Sequence, residues 1–83
     1  MWFVYIIKCV DGSLYTGSTN DLEKRFKAHK EGKGAKYTKS HHPERIVFFK
    51  KYGKKVLALR KEREIKDLTR KEKLEFLSKN KSG

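Results

Sequence analysis

Trp2-Phe3-Val4-Tyr5-Ile6-Ile7-Lys8-Cys9-Val10, then Asp11-Gly12-Ser13, then Leu14-Tyr15-Thr16-Gly17-Ser18, is the stretch on which the fold turns. The first segment is apolar on both alternating faces, with Phe3, Tyr5, Ile7 and Cys9 on one and Trp2, Val4, Ile6 and Val10 on the other. A strand with two apolar faces is covered on both sides and sits centrally in its sheet. Asp11-Gly12-Ser13 reads as a turn that returns the chain as a second strand, Leu14 to Ser18. The turn also decides where two tyrosines point. A two-residue Asp11-Gly12 turn would send Tyr5 and Tyr15 to opposite faces, because side chains alternate along a strand. An odd-numbered connection, or a bulge, places both hydroxyls on one face, and that arrangement is expected here, directed toward Arg25.

Downstream, Asn20 with Glu23 three residues later reads as a capping box opening a helix to about Lys30, which Gly32 and Gly34 end. Residues 33–44 lack a clear period and read as a long loop with a turn of helix. Arg45 to Tyr52 is rich in Ile46, Val47, Phe48 and Phe49 and reads as a third strand. Lys55 to about Leu68 reads as a helix with Leu57, Ala58, Ile65 and Leu68 at helical spacing. Thr69 with Glu72 forms a second capping box, starting a short helix that carries Leu74, Phe76 and Leu77. The expected architecture is α/β (α+β): one domain over residues 1–78, a three-stranded, mostly antiparallel sheet flanked by helices. Residues 79–83 are expected to be a frayed basic tail.

The 83 residues suffice for one modest core. Lys and Arg number 22 against 10 Asp and Glu, a net charge of +12. The surplus is concentrated in residues 43–83, which carry 14 basic and 6 acidic side chains. Such a surplus favours polyanions. A merely solvated surface is the plainer reading of the same charge. No apolar run approaches the ~20 residues of a membrane span, and no apolar helix suits a membrane surface. Cys9 is the only cysteine, so there is neither a disulfide framework nor a cysteine-based zinc site. With no basic leader before Trp2, a cytoplasmic setting is expected. His29, His41 and His42 lack the spacing of a metal-binding pair.

Phe3-Val4-Tyr5 and Tyr15-Thr16-Gly17, followed by Arg25, His29 and Glu62, resemble in order and spacing the GIY-YIG nuclease superfamily. The chain as a whole is similar to its small single-domain bacterial branch. Phe3 stands where the first tripeptide has glycine and Thr16 where the second has isoleucine; neither change removes a reactive group. The family's asparagine after the glutamate has no counterpart, since Asn80 lies far along the tail. The resemblance implies a metal-dependent endonuclease acting on DNA, with Tyr5, Tyr15, Arg25, His29 and Glu62 as catalytic residues and Gly17 as a structural motif residue. Glu62 would be the metal ligand, for Mg²⁺ with Mn²⁺ as a substitute.

The chemistry is coherent. Phosphodiester hydrolysis needs an activated water, neutralised phosphoryl oxygens and a stabilised leaving alkoxide. A phenol titrates near pH ~10 and needs cationic neighbours to serve as a base. Arg25 would supply that charge and clamp non-bridging oxygens with its planar fork. One carboxylate suits a one-metal site in which water and phosphate complete the octahedron.

Plainer readings exist for each residue. Tyr5 and Tyr15 could be half-buried sheet aromatics, His29 an edge histidine, and Glu62 a surface partner of Lys66 one turn on. Lys24, Lys27, Lys36, Lys39, Arg60 and Lys66 are candidate phosphate contacts. No helix offers a readable base-contact pattern, so selectivity for branched or damaged DNA would come from DNA shape, a protein partner or a homodimer. Two alternatives stand beside the nuclease: a non-catalytic nucleic-acid-binding module on the same fold, and a ribosome-associated or RNA-binding protein.

Overall fold

The computed structural model describes residues 1–80. Its elements are β1 (Trp2–Cys9), β2 (Leu14–Thr19), α1 (Leu22–Lys30), α2 (Lys36–Ser40), β3 (Pro43–Tyr52), α3 (Lys55–Lys66) and α4 (Arg70–Lys79). The sheet runs β2-β1-β3, antiparallel throughout, so β1 is central. Both faces of β1 are covered, as its sequence requires. Val4 and Ile6 pack with Phe48, Ala58 and Ile65, under α3 and the Phe76 and Leu77 side chains of α4. Tyr5, Ile7 and Cys9 pack on the opposite face with Tyr15, Ile46, and Leu22 and Phe26 of α1.

Cys9 N–H donates to Ser13 O at 2.8 Å and Gly12 N–H to Cys9 O at 2.9 Å, leaving Val10, Asp11 and Gly12 as a three-residue connection. The resulting register puts Tyr5 opposite Gly17 and Ile7 opposite Tyr15, so both tyrosines share a face. On the other side of β1 the pairing with β3 slips between Ile6 and Ile7. Val47 and Phe48 therefore both serve the α3-side cluster, a bulge within the paired length of β3.

Several boundaries differ from expectation. The N-cap of α1 is Asp21, not Asn20: the Asp21 carboxylate accepts from Lys24 N–H at 3.1 Å, while Thr19 Oγ1 accepts from Asp21 N–H at 3.1 Å. Thr19 fixes the entry, so the cap moves one residue on. The turn of helix in the expected loop is α2, five residues long. β3 begins at Pro43 rather than Arg45; an edge strand can open on proline because one side of its ladder is unpaired. α3 ends at Lys66, with Asp67 as its C-cap. Leu57 and Leu74 are exposed at 42% and 47%, leaving Ala58 and Ile65 as the buried residues of α3. The Thr69–Glu72 capping box is present, with bonds of 2.9 and 3.2 Å. Lys79 belongs to α4 rather than to a tail, Asn80 caps that helix, and residues 81–83 lie outside the described residues. Among the described residues no helix is long and apolar enough to cross a membrane.

Candidate active site

Tyr5 lies across Gly17, its directly paired neighbour on the edge strand β2. A Cβ at Gly17 would stand 2.6 Å from the Tyr5 hydroxyl and 3.1 Å from the Tyr15 ring. Gly17 thus clears the path by which Tyr5, rooted in the central strand, reaches the sheet margin. Tyr5 is 1% exposed and Tyr15 is half-buried, with ring centroids 6.3 Å apart.

The Tyr5 hydroxyl meets His29 Nε2 at 2.9 Å, and His29 Nδ1 meets Thr38 Oγ1 at 2.6 Å. The hydrogens of this chain follow from its outer end. Thr38 Oγ1 can donate to Ala35 O at 3.1 Å, and with its proton there it accepts from His29. In that tautomer His29 carries its proton on Nδ1, and Nε2 accepts from Tyr5. Burial, reinforced by the Arg25 charge, pushes the His29 pKa down to about 4, consistent with a neutral ring. Gly34 closes over that ring, for a Cβ there would overlap His29 Nδ1.

Arg25, half-buried on α1, is directed at the hydroxyls of Tyr5 and Tyr15, while the in-line partner of Tyr5 is His29. Arg25 favours the phenolate of Tyr5, yet burial outweighs it and the Tyr5 pKa is pushed up to about 12. The expected cationic neighbour is present in Arg25, but desolvation outweighs it. A resting phenolate at Tyr5 is excluded near neutral pH, and a proton leaving Tyr5 needs an acceptor.

Glu62 approaches from α3, on the other side of the sheet. Its Oε1 accepts from the Ser18 hydroxyl at 2.5 Å and its Oε2 lies 2.7 Å from Lys66 Nζ. β2 is an edge strand, so the two sides meet around it: the Glu62 charge is felt at Tyr5, where it opposes phenolate formation. Tyr5, Tyr15, Arg25 and His29 are thus brought together, and Glu62 stands across the β2 margin from them. The lone carboxylate carries a neutral hydroxyl on one oxygen and Lys66 on the other, and it would suit a divalent ion that keeps most of its waters only where Lys66 gives way. No group of three His, Cys, Asp or Glu side chains converges among the described residues. His41 is instead paired to Asp11 at 2.6 Å.

The basic candidates do not converge on one patch. Arg60 and Lys66 share a groove of about 580 Å³ along α3 with Glu62. Lys27 lines a separate apolar groove with Leu22, Phe26 and Ile46. Lys24, Lys36 and Lys39 are exposed on α1 and α2. Sequence reasoning missed Ser18, Thr38 and Gly34. It also missed Tyr37, which stacks between Tyr15, 5.8 Å away, and His41, 4.4 Å away. Ser18 alternates with Gly17 on β2 and so had to face α3, a signal available from the strand period.

Residues 1–75 match the GIY-YIG catalytic domain. The chain belongs to the GIY-YIG family. That membership places it in a nuclease superfamily. Among its relatives is a UPF0213 protein of Clostridium perfringens, 53% identical over 78 residues and covering 94% of this chain and 84% of the relative. A UPF0213 protein of Staphylococcus saprophyticus is 47% identical over 76 residues, covering 92% and 93%. The solution NMR structure of a UPF0213 protein from Bacillus halodurans has the same fold. It is 46% identical, with a TM-score of 0.62 over 94% of this chain and 84% of that one. This GIY-YIG chain therefore has the expected fold: a small α+β domain with a three-stranded antiparallel sheet.

Proposed function

We propose that this GIY-YIG domain is a divalent-metal-dependent endonuclease that hydrolyses DNA phosphodiester bonds, with Tyr5 and His29 acting together as the base. The observation that carries this reading is the Tyr5 hydroxyl held 2.9 Å from His29 Nε2 and under the charge of Arg25. Water attacks phosphorus and gives a proton to the Tyr5 oxygen as Tyr5 passes its own proton to His29 Nε2. The P–O bond to the leaving alkoxide breaks, and the alkoxide takes a proton from solvent. Moving the proton in concert avoids a buried phenolate, and the imidazolium that forms, disfavoured by burial and by Arg25, is offset by the negative charge that develops on the phosphate. The Nδ1–H bond to Thr38 keeps the ring oriented and stabilises the imidazolium that forms, as an orienting acceptor does in serine hydrolases.

Arg25 would hold non-bridging oxygens as charge develops, and half-exposed Tyr15 would hydrogen-bond the same phosphate. Glu62 would hold Mg²⁺, or Mn²⁺ in its place, which neutralises phosphate charge and stabilises the leaving oxygen. Arg60 and Lys66, in the groove beside Glu62, would carry the flanking backbone, with Lys24, Lys27, Lys36 and Lys39 adding a wider positive field. A substrate selected by shape, such as branched or damaged DNA in repair or processing, suits a basic domain without a base-reading helix.

One observation favours a non-catalytic binding module on the same fold: both oxygens of Glu62 are already engaged. Cleavage of duplex, flap and junction DNA with Mg²⁺ or Mn²⁺ separates the two. The nuclease reading expects metal-dependent nicking that Glu62→Gln abolishes while DNA affinity is kept. Arg25→Ala should lose about 10²–10³-fold in rate, the scale of one preorganised donor, with a much smaller loss of binding. A wild type that binds every substrate and cuts none, in either metal, would establish the binding module.

A further inference from the structure

We propose that Lys66 is a resident counter-cation of Glu62, displaced by the arriving divalent ion and then received by a phosphate of the substrate. This rests on the reading of Glu62 as the metal ligand. The two partners of the carboxylate are chemically unlike. Ser18 is a neutral donor rooted in β2, bound to Oε1 at 2.5 Å. It can stay in place while a cation occupies the other oxygen. Lys66 holds that other oxygen, Oε2, at 2.7 Å with a full positive charge.

An ammonium and a divalent ion cannot share one carboxylate oxygen without strong repulsion, so one must leave. Lys66 is free to do so. Its side chain is 50% exposed on the last turn of α3, on a four-carbon stem, whereas the Glu62 side chain is 16% exposed. The space available to it is the groove along α3, where Arg60 and Arg63 outnumber Asp67, the other acidic residue of its wall beside Glu62. A phosphodiester in that groove offers Lys66 a new anionic partner. Ion and polyanion therefore favour each other: the ion frees Lys66 for phosphate, and phosphate draws Lys66 off the ion's site. That is a coupling between two ligands with a defined two-position element. An ordinary i,i+4 surface pair would show no such coupling, because its breaking and making change little.

The test is Mn²⁺ binding without DNA, read from the free-ion EPR signal, for wild type, Lys66→Met, Lys66→Arg and Glu62→Gln. Lys66→Met should bind Mn²⁺ about fivefold or more tightly than wild type, the lower range of measured couplings. Lys66→Arg, which keeps the charge, should stay near wild type. Adding a short generic duplex should tighten Mn²⁺ binding in wild type, and that gain should shrink in Lys66→Met. A Lys66→Met protein that binds Mn²⁺ no tighter than wild type overturns the proposal, as does an equal gain in Lys66→Arg. Mn²⁺ binding that survives Glu62→Gln unchanged overturns the Glu62 reading itself, and the counter-cation with it. Lys66→Gln repeats the measurement if Lys66→Met does not fold.

Discussion

Replacing Gly17 by alanine is the sharpest test of how the sheet builds the site. The new Cβ would stand 2.6 Å from the Tyr5 hydroxyl and 2.8 Å from its Cζ, where ordinary contact begins near 3.4 Å. The hydroxyl must therefore move by about 0.8 Å. Tyr5 is 1% exposed and its oxygen is tied to His29 at 2.9 Å, so the movement either compresses or breaks that bond. Losing a buried hydrogen bond costs about 1–3 kcal/mol, and overpacking a core costs about 1–3 kcal/mol. Alanine regains about 0.5–1 kcal/mol over glycine in a strand, leaving a net loss of about 1–5 kcal/mol. With a urea slope of about 1 kcal/mol/M for so small a domain, the midpoint should fall by about 1 M or more. Cleavage should fall by about 10²-fold even where the protein stays folded, because the base is misplaced by nearly an ångström. In a Tyr5→Phe background the clashing oxygen and its tether are gone, so the stability cost of Gly17→Ala should shrink by about 1 kcal/mol or more. Gly17→Ala with an unchanged midpoint, or with the same cost in both backgrounds, would refute the argument.

Two other expectations follow from the same geometry. His29 should stay neutral, with its proton on Nδ1, down to a pH of about 4. Its pKa is lower folded than the ordinary 6.5, so the stability it contributes is complete above 6.5 and is lost as pH falls from there toward 4. The loss should be on the order of 2–3 kcal/mol; imidazole ¹⁵N shifts that titrate near 6.5 would contradict it. Binding to a generic duplex should weaken linearly on a log–log salt plot, by about 0.9 per phosphate contacted, with little sequence dependence. A flat response would point to a protein partner instead.

The sheet was legible because its signals are short-range and redundant. Two apolar faces made β1 central, and the odd connection after Cys9 put Tyr5 and Tyr15 on one face. Where two residues offered the same chemistry, local reasoning chose the wrong one. Asn20 and Asp21 can both cap a helix, and only the Thr19 contact decides between them. The buried half of the site was harder to see. Thr38, on the short helix α2, gives no sequence sign that its hydroxyl will fix a histidine nine positions earlier. The balance at Tyr5 was hidden for a related reason: charges can be counted in a sequence, but the desolvation that overrides them depends on packing.

Tyr5 fills the core on the α1 side, whereas Glu62 belongs to no core cluster and is held by one part-buried hydroxyl and one half-exposed lysine. The two residues are therefore exposed to loss in different ways as a lineage drifts. A substitution at Tyr5 is resisted by folding whether or not any DNA is cut, so its persistence in a descendant says little about turnover. If Glu62 holds the metal as proposed, Glu62→Gln should leave the fold intact, and selection for chemistry alone would keep the carboxylate. In a decaying copy of this gene the carboxylate would then go first, and the tyrosine would outlive the proposed reaction.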